Sequence, residues 1–424
     1  LGADINLGGE ENPWTPIDNF KGTFDGGNHT ISGLHIENIT DYAGLFGKVE
    51  DGSIKNLTIQ GEIKNCTGNV GGFCGYGNTA TLINCHNEVD ITVNGFSKVY
   101  DDAYIIQVGG VAGYSKTLEN CSNKGSITIN IPELDNNTLL TIGGIGGSSN
   151  AKNCYNSGTI TINGDNHSIS KITIAGVIGS GWNIENCYNT GDVAVKELSF
   201  GNTSQYFGFY VGGIVGEPMY GSIHYCYNIG NLSIPDELSS SEYAAIGSIA
   251  GYITYTTVSD SYYLEQEKIK AIGSGTNNGE NVESKEKSAF ESGEVAWLLH
   301  KDGGNFGQGL DENGKYVNDE NETPVLLAFN EGTEVYQLKL KVNDNDEEII
   351  YRNSIESNLL SETEYNNLLD GAVDEDVVWK DEEGNVVVSG NRYTPTEDIA
   401  LNATVENVHN IYTKIIPDGA GDIT

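Results

Sequence analysis

A short motif built around Asn-Cys recurs along the chain at nearly constant spacing. Five copies place their cysteines at Cys85, Cys121, Cys154, Cys187 and Cys226. A weaker sixth copy has Ser261 at the cysteine position. The steps between successive cysteines are 36, 33, 33 and 39 residues, and 35 more lead to Ser261. Periods of this length are typical of repeat proteins, in which each repeat is a small unit that buries its apolar face only against its neighbours.

Two further elements keep the same phase as the cysteines. A Gly-rich apolar segment precedes each one, such as Val-Gly-Gly-Val-Ala-Gly at 108–113, and an alternating segment follows, such as Ile-Thr-Ile at 127–129. Alternation at period two indicates a strand with one buried face. Each repeat therefore predicts three short strands, with length variation concentrated at 131–140 and 197–210. The pattern predicts an all-β, right-handed parallel β-helix-like solenoid over residues 1–262.

The Asn before each cysteine is predicted to lie at a corner between strands. Asn tolerates left-handed backbone angles and bonds to nearby backbone groups. A corner also explains why an apolar residue and the cysteine stand three apart, as Leu118 and Cys121 do, because a flat strand would place them at an even spacing.

The N-terminal region carries a second recognisable pattern. It reads Phe24-Asp25-Gly26-Gly27-Asn28-His29-Thr30-Ile31, followed by Gly44-Leu45-Phe46-Gly47. With the repeats that follow, residues 3–262 resemble the GLUG-motif proteins, a mostly bacterial surface family named for a Gly-Leu-aromatic/apolar-Gly core. The resemblance implies a parallel β-helix-like fold and a surface location. The motif also occurs in non-catalytic parts of IgA-protease-type peptidases, and it implies no particular ligand.

The sequence changes character after the repeats. Residues 263–332 predict a capping segment, because the end of a repeat array exposes apolar side chains and strand edges. Within it, residues 284–300 predict a helix that Gly293 divides in two. Residues 335–424 predict a separate α+β domain with strands at 335–342 and 348–352, a short helix at 361–369 and a hairpin at 377–386. This domain resembles Listeria–Bacteroides-type surface repeats, which implies a small β-grasp-like fold and a spacer or stalk role.

The charge of the chain limits its partners. The formal net charge is -38, so the surface repels the phosphates of nucleic acids and anionic lipids. No stretch reaches the ~18 apolar residues that a membrane span requires. The sequence therefore predicts no nucleic-acid partner, no membrane insertion and an extracellular or bacterial cell-surface location. Any export signal or anchor is expected outside this sequence.

Residue types that carry catalysis do not assemble into a motif. The sequence has no His-Glu-x-x-His and no Gly-x-Ser-x-Gly. Some β-helices are polysaccharide lyases or hydrolases, but both arginines, Arg352 and Arg392, fall outside the repeats, and no carboxylate recurs at a fixed repeat position. We predict no catalytic residue, no cofactor and no metal. Calcium at the acidic turns 344–348 and 381–384 is an alternative to solvated turns, although neither has EF-hand spacing.

The repeated cysteines are predicted to be reduced and buried. Neighbouring strands in a stacked array lie ~4.8 Å apart, whereas a disulfide needs Cβ atoms ~3.8 Å apart. Ser261 at the same position cannot form a bridge. Disulfides and a metal site are the alternatives, and the second needs ligands that converge at tetrahedral spacing.

The residue after each cysteine is the candidate for ligand binding. It is Tyr155, Tyr188 and Tyr227 in three copies and Tyr262 in the weaker one. If the cysteines point into the core, pleating directs these tyrosines outward in a row. Such a row is suited to stacking on sugars or to gripping a protein partner. The alternative is a self-stacking ladder that stiffens the sheet, or one covered by the inserted loops.

These features together predict a non-catalytic bacterial cell-surface or secreted adhesion or scaffold protein. Its expected partner is a host or cell-surface protein or glycan. A carbohydrate-binding β-helix module is the alternative, and a polysaccharide-degrading enzyme is the third hypothesis.

Overall fold

A computed structural model describes residues 1–96, 104–131, 138–164, 171–196, 198, 208–311, 313–315, 322–329, 333–343, 346–361, 364, 368–369 and 377–404. The chain divides into two compact units. The first comprises Leu1–Lys287 with Gly303–Asn305, and the second comprises Ser288–Asp302 with Phe306–Thr424. The loops predicted to absorb length variation (132–137 and most of 197–207) and most of the helix predicted at 361–369 lie outside the described residues.

The first unit is built almost entirely of strands. It has a 3-10 turn at Gly9–Glu11 and a short helix, α1 (Asp236–Ser239). Its strands are β1 (Ile5–Asn6), β2 (Phe20–Glu37), β3 (Tyr42–Ala43), β4 (Phe46–Cys66), β5 (Asn69–Gly71), β6 (Cys74–Val93), β7 (Tyr104–Gly109), β8 (Ala112–Glu119), β9 (Ser122–Asn123), β10 (Ile127–Ile131), β11 (Thr138–Gly143), β12 (Gly146–Asn156), β13 (Ile160–Gly164), β14 (Lys171–Ala175), β15 (Ile178–Asn189), β16 (Val193–Lys196), β17 (Gly208–Gly212), β18 (Val215–His224), β19 (Tyr227–Asn228), β20 (Leu232–Ser233), β21 (Ala244–Tyr252), β22 (Thr254–Ser259), β23 (Ser261–Leu264), β24 (Lys270–Ser274) and β25 (Val282–Lys285).

Each strand pairs in parallel with the equivalent strand of the neighbouring repeat, and we call one such repeat a rung. Cys154 lies opposite Cys187 where β12 pairs with β15, and Ile127 lies opposite Ile160 where β10 pairs with β13. The predicted phase of the three strands is therefore confirmed, and the unit is an all-β sheet of parallel strands. The sheet extends past the predicted end at residue 262, because β24 pairs with β21 and β25 pairs with β23.

The predicted corner before each cysteine is confirmed. Asn84, Asn120, Asn153 and Asn186 have φ values of 52–54°, in the left-handed region. Asn adopts this conformation more readily than most residues because its short polar side chain bonds to nearby backbone groups. In the two later copies Tyr225 (φ 54°) and Asp260 (φ 45°) take the same conformation. The corner is thus a property of the rung and is kept even when the residue changes.

A ladder of buried asparagines runs through the first unit. The side-chain nitrogen of each one donates to the side-chain oxygen of the next and to the carbonyl two residues ahead. The distances between successive side chains are 2.7–2.9 Å. The ladder comprises Asn87, Asn123, Asn156, Asn189 and Asn228, all completely buried. Buried amides are stable only when bonded, so this register is fixed by hydrogen bonds as well as by apolar packing.

A glycine at the third position of the Gly-rich segments makes room for the asparagine ladder. A Cβ added to Gly176 would lie 2.2 Å from the Gly213 carbonyl oxygen and 2.3 Å from Cγ of Asn189. In the weaker copy this position is Ser248, and the ladder position is Tyr263. The glycine and the asparagine are therefore lost together.

The cysteines of the repeat point into the apolar core of the first unit. Cys85, Cys121, Cys154, Cys187 and Cys226 are all completely buried, and all seven cysteines are free thiols. Their sulfurs lie near backbone carbonyls, as Cys154 Sγ does at 3.3 Å from the Lys152 oxygen. Ser261 keeps this pattern, because its hydroxyl donates to the Ser259 carbonyl at 2.8 Å. The predicted row of buried thiols is confirmed.

We expect these thiols to be unreactive in the native protein. Burial raises the pKa of Cys154 and Cys187 well above the ordinary value and that of Cys74 to about 12, so little thiolate forms at these positions near neutral pH. At Cys121 the effect of burial is outweighed by hydrogen bonds with Cys154 and Cys85, which lower its pKa, but its complete burial keeps a reagent from its sulfur. Titration with a thiol reagent should detect almost no groups in the folded protein and all seven after denaturation. Rapid labelling of several thiols without unfolding, or fewer than two reactive groups after denaturation, would contradict this assignment.

Among its described residues the second unit has the helices α2 (Lys287–Glu291) and α3 (Glu294–His300), further helical positions at Glu364, Leu368 and Leu369, and a mixed sheet. It has a 3-10 turn at Leu327–Phe329. Its strands are β26 (Phe306–Gly307), β27 (Val325–Leu326), β28 (Val335–Val342), β29 (Glu348–Asn353), β30 (Ser357–Asn358), β31 (Val378–Lys380), β32 (Val386–Ser389), β33 (Arg392–Tyr393) and β34 (Ile399–Ala403). None of the helices among the described residues is long and apolar enough to span a bilayer.

The main sheet of the second unit has the order β29-β28-β34-β31-β32. The central pair β28–β34 is parallel, and the other neighbours are antiparallel. The predicted strands and the break of the helix at Gly293 (φ 91°) are confirmed. The segment 263–332, predicted to be a cap, is divided between the units: residues up to Lys287 group with the first and α3 groups with the second.

Candidate functional site

The predicted row of tyrosines exists. The rings of Tyr155 and Tyr188 are parallel, with centroids 4.8 Å apart, and those of Tyr188 and Tyr227 are 4.9 Å apart. Tyr262 continues the register opposite Tyr227. None of the four belongs to the core cluster that holds the cysteines, which agrees with alternation of side chains along the strand.

The ligand-binding prediction required the tyrosine row to be exposed, but the row is buried. Tyr155, Tyr188, Tyr227 and Tyr262 are 6%, 5%, 0% and 2% exposed. Stacking at the distance between rungs covers the ring faces that a sugar would use. The prediction that these tyrosines stand open to a ligand is therefore wrong, and the self-stacking ladder describes their geometry.

Among the residues that the structure describes, one group of potential metal ligands lies in the first unit. Ligand atoms of Glu10, His35 and Glu62 are within 4.8 Å of one another. Lys64 Nζ lies 2.7 Å from Glu10 Oε1 and 3.1 Å from Glu62 Oε1, and its hydrogen bond lowers the pKa of Glu10. His35 Nδ1 lies 2.8 Å from the same Glu62 oxygen. The Lys64 ammonium supplies both carboxylates with the positive charge that a bound cation would otherwise provide, so we interpret the group as an ion-pair cluster.

A different set of large side chains, three aromatic and one methionine, is exposed on the first unit. Trp182, Met219, Tyr220 and Tyr255 are 45%, 45%, 60% and 81% exposed, and we call them the aromatic corner. They lie on three successive rungs, where β15, β18 and β22 pair side by side. Gly181 lies opposite Pro218, and Met219 lies opposite Thr254, so Trp182, Tyr220 and Tyr255 follow one another at the same corner.

The two tyrosines of the aromatic corner have left-handed backbone conformations. The φ values of Tyr220 and Tyr255 are 66° and 51°. For a residue with a Cβ other than Asn or Asp this conformation costs about 1–2 kcal/mol. Because the two rings are exposed, burial of apolar area offsets little of this conformational cost. A strained backbone that carries an exposed aromatic ring is a reason to consider function at the site.

The aromatic corner is held by hydrogen bonds beneath it. The Asn150 side-chain oxygen accepts from the backbone N–H groups of Trp182 (3.3 Å) and Asn183 (3.0 Å). Gly221 lies so close to the Trp182 carbonyl oxygen that an added Cβ would be 2.1 Å from it. The Tyr220 and Tyr255 rings stack with centroids 5.5 Å apart and an angle of 6°. The rings are therefore presented on a fixed backbone.

A row of polar side chains runs beside the aromatic corner. Asn183 lies opposite Ser222, and Ser222 lies opposite Thr257. Segments 181–183, 218–222 and 253–257 contain no charged residue, although the chain as a whole has a net charge of -38. The surface thus combines aromatic rings with amide and hydroxyl groups and carries no charge of its own.

The sequence contains a signal for this site that we did not use. The segment between each Gly-rich strand and the next cysteine motif carries Trp182, Tyr220 and Tyr255 in three successive repeats. The corresponding segments of the two preceding rungs, 115–117 and 148–150, contain no aromatic residue, and that is the difference to look for. The residue after the cysteine, at which the repeat pattern places tyrosines, is buried instead.

Comparison with known proteins gives no family for this chain. No family model matches it, and no curated protein does. Among solved structures, the chain is similar to a Bacteroides ovatus protein described as a "putative immunoglobulin A1 protease", with 16% sequence identity and a TM-score of 0.38. The similarity covers 77% of this chain and 84% of that one. At this TM-score the similarity establishes neither fold nor activity, and the GLUG resemblance stays a prediction.

Proposed function

We propose that this is a non-catalytic bacterial adhesion or scaffold protein, secreted or held at the cell surface, that binds its partner through the aromatic corner. In this proposal the first unit is a right-handed parallel solenoid of the GLUG type, and the second is a β-grasp-like spacer. The exposed, strained pair Tyr220 and Tyr255 is the observation that carries the proposal.

The aromatic corner has the physical properties of a contact surface. Aromatic residues are enriched at binding sites because they bury a large area with few rotatable bonds. The corner rests on paired strands and on the Asn150 hydrogen bonds, so little conformational entropy is lost when a partner binds. Exposed residues whose backbone conformation lowers the stability of the protein are typical of functional sites.

A binding assay with matched variants tests the proposal. Labelled protein would be applied to bacterial cells, host cells, matrix proteins and a glycan array, beside the double variant Tyr220→Ala/Tyr255→Ala. We expect the double variant to lose about tenfold or more in affinity, as hot-spot aromatics do. Tyr243→Ala is the control, because Tyr243 is 46% exposed but lies outside the corner. Equal binding by all three proteins, or binding to none of the panel, would refute the proposal.

The strain at Tyr255 gives a separate prediction for stability. Tyr255→Ala and Tyr255→Asn both remove the ring, but only Asn is well tolerated at φ 51°. We expect the Asn variant to unfold at higher urea concentration than the Ala variant, with a difference of about 0.5–1 kcal/mol. Both should lose binding equally. If the Ala variant is the more stable of the two, the left-handed backbone at Tyr255 is not the source of strain.

A further inference from the structure

We infer that the ligand of the aromatic corner is an uncharged saccharide chain, with one sugar ring stacked on the open face of Tyr255. This inference rests on the proposed function and names the chemistry of its partner. It depends on three observations: the free ring face, the polar row beside it and the absence of charge.

The free face follows from the position of Tyr255 in the ring stack. Tyr220 covers one face at 5.5 Å, yet Tyr255 is 81% exposed. On one side β22 pairs with β18, and on the other residues 274–281 bond at Ile253 and Val258 but contain no aromatic residue that could cover Tyr255. The ring is therefore the last of its stack, and the face directed away from Tyr220 is open. An open ring face is hydrophobic and carries the negative side of the ring quadrupole, which suits the C–H groups on one side of a pyranose.

The polar row supplies the groups that a sugar needs beyond its C–H face. Thr257, Ser222 and Asn183 follow one another on the three rungs that carry Tyr255, Tyr220 and Trp182. Asn183 and Thr257 are exposed, and Ser222 is half-buried. Hydroxyl and amide groups both donate and accept hydrogen bonds, as sugar hydroxyls do. Successive rungs lie ~4.8 Å apart, so the two rows offer repeated contacts to a chain of sugars.

Charge separates the saccharide from other ligands that stack on aromatic rings. Nucleic-acid bases stack equally well, but a chain with a net charge of -38 repels their phosphates. The same repulsion disfavours sialylated and uronic-acid glycans. A protein partner of so acidic a chain would be expected to bind acidic residues through its own basic residues. Segments 181–183, 218–222 and 253–257 contain no acidic residue for such a partner to bind. An uncharged glycan requires no counter-charge.

A glycan array that contains both neutral and acidic saccharides tests this inference on the full chain. We expect binding to neutral glycans that is unchanged by added salt, because no ion pair contributes. Tyr255→Ala should lose about tenfold or more in affinity, and Tyr255→Phe, which keeps the ring, should retain it. Tyr243→Ala should bind like the parent. In saturation-transfer NMR, irradiation of aromatic protons should reach the C–H protons on one face of the bound sugar.

The outcomes separate this inference from the proposed function. If the corner binds cells or a matrix protein, and Tyr220→Ala/Tyr255→Ala abolishes that binding while no glycan binds, the ligand is a protein and the saccharide inference fails alone. Binding that weakens steeply with salt, or a preference for acidic glycans, also overturns it. If no ligand of any class binds, or binding ignores the corner variants, the proposed function fails as well.

Discussion

Replacing Gly176 by alanine is expected to prevent the first unit from folding stably. The new Cβ would lie 2.2 Å from the Gly213 carbonyl oxygen and 2.3 Å from Cγ of Asn189. Neither can move easily, since Gly213 bonds to Gly247 and Asn189 is held in the asparagine ladder. Overpacking a close-packed site typically costs about 1–3 kcal/mol, and here it meets backbone, so we expect a loss of about 3 kcal/mol or more. Urea unfolding followed by circular dichroism measures this.

Gly2→Ala is the matched control for this change. Nothing lies within 4 Å of a Cβ built on Gly2, so its free energy of unfolding should change by less than about 0.5 kcal/mol. A Gly176→Ala protein that unfolds at the same urea concentration as the parent would show that the rungs are farther apart here than the structure has them.

Asn156→Leu is the second change with a large expected effect. Asn156 accepts from Asn123 at 2.8 Å and donates to Asn189 at 2.9 Å and to the Gly158 carbonyl at 2.8 Å. Leucine keeps the branched shape and the number of heavy atoms but leaves these buried partners with fewer bonds. Each unsatisfied buried group costs about 1–3 kcal/mol, so we expect a total loss of about 3 kcal/mol. The urea midpoint should fall while the slope of the transition stays constant.

Asn163→Leu separates the effect of burial from that of the residue type. Asn163 donates to Asn130 at 2.8 Å on a neighbouring rung, but it is only half-buried. Water can replace its hydrogen bond, so the loss should be below about 1 kcal/mol. If both leucine variants are destabilised equally, the buried position of the Asn156 amide is not what makes its ladder important.

The repeat could be predicted because its period appears directly in the sequence. The recurrence of Cys154 and Cys187 fixes which strands pair, and alternation at Ile127 and Ile129 fixes which face is buried. The left-handed corner followed from the chemistry of Asn alone. The end of the array was harder to place, because β24 and β25 join the sheet with none of the repeat's residues.

The candidate site could not be predicted in the same way. Pleating distinguishes inward from outward residues, but it does not say whether an outward ring is covered, and Tyr188 is 5% exposed. The buried asparagine ladder was missed because Asn after Tyr resembles an ordinary turn residue. Tyr255 was missed because its exposure follows from the absence of an aromatic residue in segment 274–281, which lies beside β22. Both depend on neighbours that no local pattern encodes.

The asparagine ladder gives the first unit a polarity along its length. Every side-chain amide donates in the same sense, from Asn87 toward Asn228. The amide dipoles therefore add, as peptide dipoles do in a helix. At one end the buried oxygen of Asn87 has no hydrogen-bond partner among the described residues, and at the other Tyr263 takes the place of the next amide. The two ends are chemically different, so a duplicated rung could extend the stack only in the orientation that continues this donor-to-acceptor order.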